Sequence, residues 1–168
     1  MLEGINEYYK NGGTENIIYH LVGRTLPEIE KLIDNSEYLK DHVILHGKMF
    51  GEELAEIYKK SFIGIDILGG HRKDYPISSS LKSREYAAWG IPIITSSPVD
   101  YMPKDYKYQF MAPYDDSPVD VPKMLEFYHN VFDNKDCNAV AKEIRDFAVS
   151  KCDMSVAMKP VIDWLESK

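Results

Sequence analysis

Ser78-Ser79-Ser80-Leu81-Lys82-Ser83-Arg84-Glu85-Tyr86-Ala87-Ala88-Trp89-Gly90-Ile91-Pro92-Ile93-Ile94-Thr95 reads as a loop, a short helix, an abrupt stop and a buried strand. The serine run supplies helix N-caps, because a Ser hydroxyl can accept a hydrogen bond from an unpaired first-turn N–H. Leu81 to Trp89 holds good helix formers and neither Gly nor Pro. Gly90 suits the left-handed position that ends a helix, and Pro92 prevents its resumption. Ile91 to Thr95 is apolar and β-branched, as a strand covered on both faces would be.

This helix breaks a local rule. The positive N-terminal end of a helix prefers acidic residues, yet the first turn carries Lys82, with Arg84 behind it and no acid before Glu85. Unpaired N–H groups, the helix dipole and a Lys together can bind an anion, and broken local rules tend to fall at functional sites. Lys82 and Glu85 are three residues apart and share a face. A cation and a carboxylate so placed suit a ligand with both a phosphate and a sugar hydroxyl. They equally suit a plain surface Lys–Glu pair.

Working outward, the chain alternates strand and helix. Strands are expected at 17–22, 42–46, 62–68 and 91–95, with a short last one over 106–111. Helices are expected at 2–10, 27–34 (capped by Thr25), 52–60 and 81–89. Asp115-Asp116-Ser117-Pro118 signals a further helix start, and helices follow at about 119–132, 136–150 and 154–167. The apolar residues of the last one (Val156, Val161, Ile162, Trp164, Leu165) predict that it packs onto the domain. The alternation predicts an α/β fold with a Rossmann-like, doubly wound parallel sheet in three α/β/α layers. Ligands bind such sheets beyond the carboxyl ends of the strands. Gly23, residues 46–50, the loop 69–80 and the start of the 81–89 helix all fall at such ends.

The bulk properties narrow the classes. With 168 residues the length predicts one domain over 1–168, with the C-terminal helices at about 119–167 as part of it. Hydrophobic residues make up 44 % and charged residues 28 %, an ordinary globular balance. A formal charge of −7 argues against nucleic acid as a partner. Two cysteines, Cys137 and Cys152, are too few for a disulfide framework or a zinc site. No signal peptide is expected, and no apolar run reaches the roughly 18 residues of a membrane span.

Other clusters carry weaker signals. His42 and His46 are four apart, but in a strand and with no third ligand, so no metal is expected. His71, Arg72 and Lys73 form a basic cluster that either faces a phosphate or is simply solvated. Asp66 and Asp74 are candidates for sugar hydroxyls. The turn after 17–22 has only Gly23 where a dinucleotide fingerprint needs three glycines.

Residues 82–94 resemble the K-x-x-E-Y-x-A-x-G-x-P-[VI]-[VI] segment of GT-B glycosyltransferases, most of all the family 4-type enzymes (glycosyl transferases group 1). The resemblance runs from about residue 2 to 167 and implies the C-terminal, donor-binding domain of such an enzyme. It implies that a nucleoside-diphosphate sugar, for instance a UDP-sugar, is the substrate. Lys82 and Glu85 become the catalytic candidates, Lys82 at the diphosphate and Glu85 on the ribose. Ser79, Ser80 and Arg72 join Lys82 as diphosphate candidates. Gly47, Lys48 and Met49 resemble the segment around the base, against the alternative of a plain βα turn. No cofactor and no metal are expected. The full enzyme would transfer a hexosyl group to a hydroxyl acceptor with retention, in surface-polysaccharide assembly. It would work in the cytoplasm, with peripheral association with the membrane's inner face left open. The family's N-terminal acceptor domain would be a partner lying outside this chain, so the fragment alone should not transfer sugar. Ile77 stands where many members carry a second acid. A GT-B-fold UDP-sugar epimerase and a non-catalytic scaffold domain are the alternatives.

Overall fold

A computed structural model describes residues 1–168. The chain forms two compact units, Met1–Lys60 with Asp116–Glu126, and Ser61–Asp115 with Phe127–Lys168. The fold is α/β, and its parallel strands pair in two sheets.

The first unit contains α1 (Leu2–Lys10), β1 (Tyr19–Val22), α2 (Pro27–Asn35), α3 (Leu39–His42), β2 (Val43–Gly47) and α4 (Gly51–Lys60). It also takes the first half of α6 (Val121–Phe132). Ile5, Ile33, Leu39, Val43, Val119, Val121 and Met124 are its buried apolar residues. Gly4 is needed where α1 meets the returning segment, because a Cβ there would lie 2.3 Å from the Val119 carbonyl oxygen. Tyr8 and Tyr9 tie α1 to the entry of β1: the Tyr9 hydroxyl donates to the Glu15 carbonyl (2.8 Å) and accepts from Ile17 N–H (2.9 Å).

β1 and β2 run parallel, Tyr19 opposite Val43. The sequence predicts buried strands here, but every β1 residue is only partly buried, and Ile44 and Leu45 of β2 are exposed. A two-stranded pair covers its faces less than a wide sheet does. Thr25 does not cap α2; Leu26 occupies the cap position with no side-chain bond, and Pro27 at the first helical position starts the helix. The short α3 was not expected, and it begins where the Ser36 hydroxyl accepts Leu39 N–H.

The second unit contains β3 (Gly64–Ile65), a 3-10 turn (Gly70–Lys73), α5 (Leu81–Trp89), β4 (Ile93–Thr95) and β5 (Gln109–Met111). The rest of α6, then α7 (Cys137–Cys152) and α8 (Met154–Glu166), complete it. The order β3-β4-β5 is parallel throughout, with β4 central and fully buried. β3 is shorter than the predicted 62–68. Its pairing nevertheless continues as single bonds, Asp66 N–H to the Ile94 carbonyl (2.9 Å) and Ser96 N–H to the Ile67 carbonyl (2.6 Å). Thr95 at the end of β4 and Ser96 and Ser97 directly after it are buried polar residues.

α5 ends as its sequence predicts. Gly90 has φ 75°, Gly90 N–H reaches the Ala87 carbonyl and Ile91 N–H reaches the Tyr86 carbonyl, a complete Schellman motif. α5 packs on α7, whose Val140, Ile144 and Ala148 share a core with Ala87, Tyr108 and Val131. α6 starts at Val121, later than the Asp115–Pro118 signal, and the Asp120 carboxylate accepts Lys123 N–H in its first turn. α8 starts at Asp153 as expected, with its carboxylate accepting Ser155 N–H. α8 contacts α7, as expected of a helix that packs onto the domain, but none of its residues is buried. No helix is long and apolar enough to cross a membrane.

Candidate functional site

The start of α5 is built on one acid. Asp66, directly after β3, is only 3 % exposed. A carboxylate so placed needs donors, since an unpaired buried charge is costly. Two serines of the run supply them. The Ser78 hydroxyl donates to Asp66 Oδ2 (2.9 Å) and the Ser80 hydroxyl donates to Oδ1. Ser78 is itself fixed by backbone bonds, donating to the Pro98 carbonyl (2.7 Å) and accepting from Asp100 N–H (2.9 Å). Asp66 therefore anchors the serine run, each of its carboxylate oxygens accepting a Ser hydroxyl.

Ser80 does a second task. Its Oγ accepts Ser83 N–H (3.2 Å), which makes it the N-cap of α5, as the serine run predicts. In return the Ser83 hydroxyl donates to the Ser80 carbonyl (2.9 Å). The N–H groups of Leu81 and Lys82, in the first turn, have no intrahelical acceptor. The first turn carries no acid.

Lys82 lies on this turn with an exposed stem, but its ammonium is turned inward. Nζ donates to the carbonyl of Asp66 and, at 3.3 Å, to that of Ile65. These are the last carbonyl of β3 and the one directly after it. Burial of the ammonium lowers the Lys82 pKa, partly offset by the charge of Asp66. An ammonium has three donors, and two of them go to these carbonyls.

Beside it sits a second polar cluster that the sequence did not reveal. The Ser79 hydroxyl and Arg84 both donate to Asp100 Oδ2 at 2.8 Å. Arg84 also donates to the Ser80 carbonyl (3.1 Å) and lies over the Tyr101 ring (5.1 Å). Burial pushes the Asp100 carboxyl up, but the bonds from Arg84 and Ser79 outweigh it, and its pKa is lowered. Arg84 thus locks the helix start to the loop after β4. Glu85 is exposed one turn past Lys82 on α5.

Arg72 is exposed in the 3-10 turn, between His71 and Lys73. Asp74 closes that turn in the left-handed conformation (φ 52°). Ile77 is 61 % exposed. The structure therefore brings Ser80 and Lys82 together around Asp66, with Ser79 held by Asp100, while Arg72 keeps its own turn.

Gly47, Lys48 and Met49 belong to the first unit, at the carboxyl end of β2. Gly47 has φ 67°, and its carbonyl accepts Gly23 N–H from the end of β1 (2.6 Å). Lys48 is exposed and Met49 half-buried. His46 does not act with His42. It meets His20 of β1 instead, Nδ1 of His20 lying 2.8 Å from Nε2 of His46, and His42 stacks on Tyr9 at 3.7 Å. No group of three His, Cys, Asp or Glu side chains could hold a metal ion.

Sequence reading missed the part played by Asp66. Its signal was available: one acid in the otherwise apolar run Phe62 to Leu68, followed by three serines. The His20–His46 pair had no comparable signal, because it depends on the register of β1 against β2. The chain matches no protein-family model and no curated protein.

Proposed function

We propose that the chain is the donor-binding domain of a GT-B glycosyltransferase of the family 4 type, with the donor diphosphate at the start of α5. One observation carries this reading. A serine-capped helix start with no first-turn acid holds a Lys ammonium at the carboxyl end of a parallel strand. That is where an α/β sheet binds ligands and where a helix binds phosphate. The finer fold that goes with this reading is the doubly wound, three-layer sheet.

In this reading the amides of Leu81 and Lys82 and the remaining ammonium proton face the diphosphate. As the bond from the sugar to the diphosphate breaks, negative charge grows on the leaving oxygen. Donors already fixed by Asp66 and Ser80 stabilise that charge without rearranging, the electrostatic mode of catalysis. Glu85 accepts from the ribose hydroxyls. Gly47, Lys48 and Met49 hold the base-side role, and Arg72 a diphosphate-side role, on the resemblance alone. The substrate class is a nucleoside-diphosphate sugar and the acceptor a hydroxyl, with no metal taking part. The cytoplasm is the compartment where such donors are met.

A second reading has its own observation. Ser78, Ser80 and the Lys82 ammonium are all engaged by the fold itself. A scaffold domain that kept the fold without the chemistry would look the same at these atoms, and Ile77 in place of an acid agrees with it.

Calorimetric titration with UDP, UDP-sugars, GDP and ADP separates the two. The donor reading expects one nucleotide to bind, with Lys82→Ala and Glu85→Ala each weakening it by about tenfold or more, the worth of a charge-assisted hydrogen bond. Binding that neither substitution changes, or no binding to any of the four, leaves the scaffold reading.

A further inference from the structure

His20 of β1 and His46 of β2 turn their rings to one another, with Nδ1 of His20 lying 2.8 Å from Nε2 of His46. The strand register accounts for the meeting. His20 stands opposite Ile44, so the residue two places further along β2 lies diagonal to it on the same face. That residue is His46, and it is also the one the ladder skips: Leu21 pairs with Leu45 and Val22 with Gly47. A bulge of this kind re-aims the side chain it carries. The ring planes end 25° apart with centroids at 5.1 Å. Both residues are half-buried, so an ion in solution can reach their rings. Two neutral imidazoles share one proton across such a contact, and the lone pairs of the same two nitrogens also serve as metal ligands. The separation is informative. With metal–nitrogen bonds of about 2.0–2.1 Å, two ligands at a right angle lie about 2.8–3.0 Å apart, and two at the tetrahedral angle about 3.3–3.4 Å. The observed 2.8 Å falls in the first range. The strands then need not move, and the rings turn about side-chain torsions that are broad.

We propose that His20 and His46 form a two-imidazole site for a divalent ion that takes ligands at right angles, copper(II) or nickel(II), and that the bound ion clips β1 to β2. Imidazole is a preferred ligand of both ions. No third His, Cys, Asp or Glu side chain joins the pair, so water fills the remaining positions. Lys60 at the end of α4 is the cation that acts on His20 besides His46. It is exposed, and its long side chain can move away into water. The clip acts where the fold is thin. β1 and β2 make a sheet of two strands, a pair that is marginal by itself, and Ile44 opposite His20 is 42 % exposed. The other histidines are placed elsewhere: His42 stacks on Tyr9, His71 packs on Tyr114 and His129 pairs with Asp133 on α6. The site lies within the first unit and does not rest on the donor-binding reading.

The test adds copper(II) chloride to the whole chain at about one pH unit above the imidazole pKa of about 6.5. Cys137 is exposed, and a thiol competes for copper, so Cys137→Ser is the background. Electron spin-echo modulation of the bound ion counts its imidazoles. The expected result is one ion per chain with two equatorial imidazoles. Calorimetric titration with nickel(II) chloride reads the affinity, expected in the micromolar range. His20→Gln and His46→Gln each weaken it about tenfold or more, while His129→Gln leaves it unchanged. Gln keeps a group that can hydrogen-bond the remaining imidazole, so the strands stay paired. A readout free of histidine variants comes from heat: nickel should raise the melting temperature, because it binds the folded strands. One imidazole or none on the copper ion overturns the proposal. So does a nickel affinity that both strand variants leave unchanged, or one that falls only in His129→Gln.

Discussion

Asp66 is the residue on which the site turns. Its two oxygens take the Ser78 and Ser80 hydroxyls, and its carbonyl takes the Lys82 ammonium. Asp66→Ala leaves two serines without acceptors around a buried gap and should cost about 2–4 kcal/mol, the scale of losing charge-assisted bonds in a buried place. Asp66→Asn keeps one acceptor and should cost less. Urea unfolding of the three proteins checks the order, and an Asn variant as damaged as the Ala variant would count against the network. The His20–His46 pair sets a pH dependence. Burial lowers the His20 pKa from 6.5, and the facing charges of His46 and Lys60 lower it further. The unfolded chain then holds more protons than the folded one just below pH 6.5, so stability is full above that pH and declines as pH falls through the lowered value. His20→Gln should flatten this slope between pH 7 and 5, measured by the same denaturation.

At the scale of elements, the helix ends read well from sequence and the strands read poorly. Gly90 and the serine run each act through groups one to five residues away, and local signals fix such motifs. Gly12 and Gly90 both have positive φ, 83° and 75°. A Cβ at Gly12 meets nothing within 4 Å, while at Gly90 it would lie 2.5 Å from the Ala141 carbonyl oxygen on α7. Gly12→Ala should therefore cost only the left-handed strain, about 1–2 kcal/mol, and Gly90→Ala clearly more, with α5 and α7 forced apart. Equal melting temperatures for the two variants would contradict that account. β3 shows the limit of pattern reading. The run 62–68 is apolar but for Asp66, yet only Gly64 and Ile65 complete a ladder, because what pairs depends on the partner strand. Thr25 and α3 show the same thing: a good cap residue is unused at one helix, and a helix forms where the sequence showed only a loop.

At the scale of the whole molecule, composition gave the class but not the division into units. Residues 116–126 return to the first unit, where Val119, Val121 and Met124 are buried. A fragment ending at Lys60 loses those three side chains. It should fail to fold, which its circular dichroism and proton NMR dispersion would report. α8, which contacts α7 without burying a residue, shows a limit of the same kind. Its apolar spacing was legible, but the sequence could not say which surface meets it. The start of α5 was the most legible part of the site, since cap, cation and missing acid all lie within four residues. The anchoring acid left a signal, one carboxylate in an apolar run, whereas the Arg84–Asp100 lock lay beyond reach, since it joins α5 to the loop after β4.

The central claim is that the first turn of α5 receives a nucleotide's diphosphate. The most direct test follows the backbone amide resonances of the ¹⁵N-labelled chain during titration with UDP. The account predicts that the largest shifts fall on Leu81, Lys82 and Ser83, and that Lys82→Ala abolishes them. A spectrum that UDP and the other nucleoside diphosphates leave unmoved at these amides would contradict it.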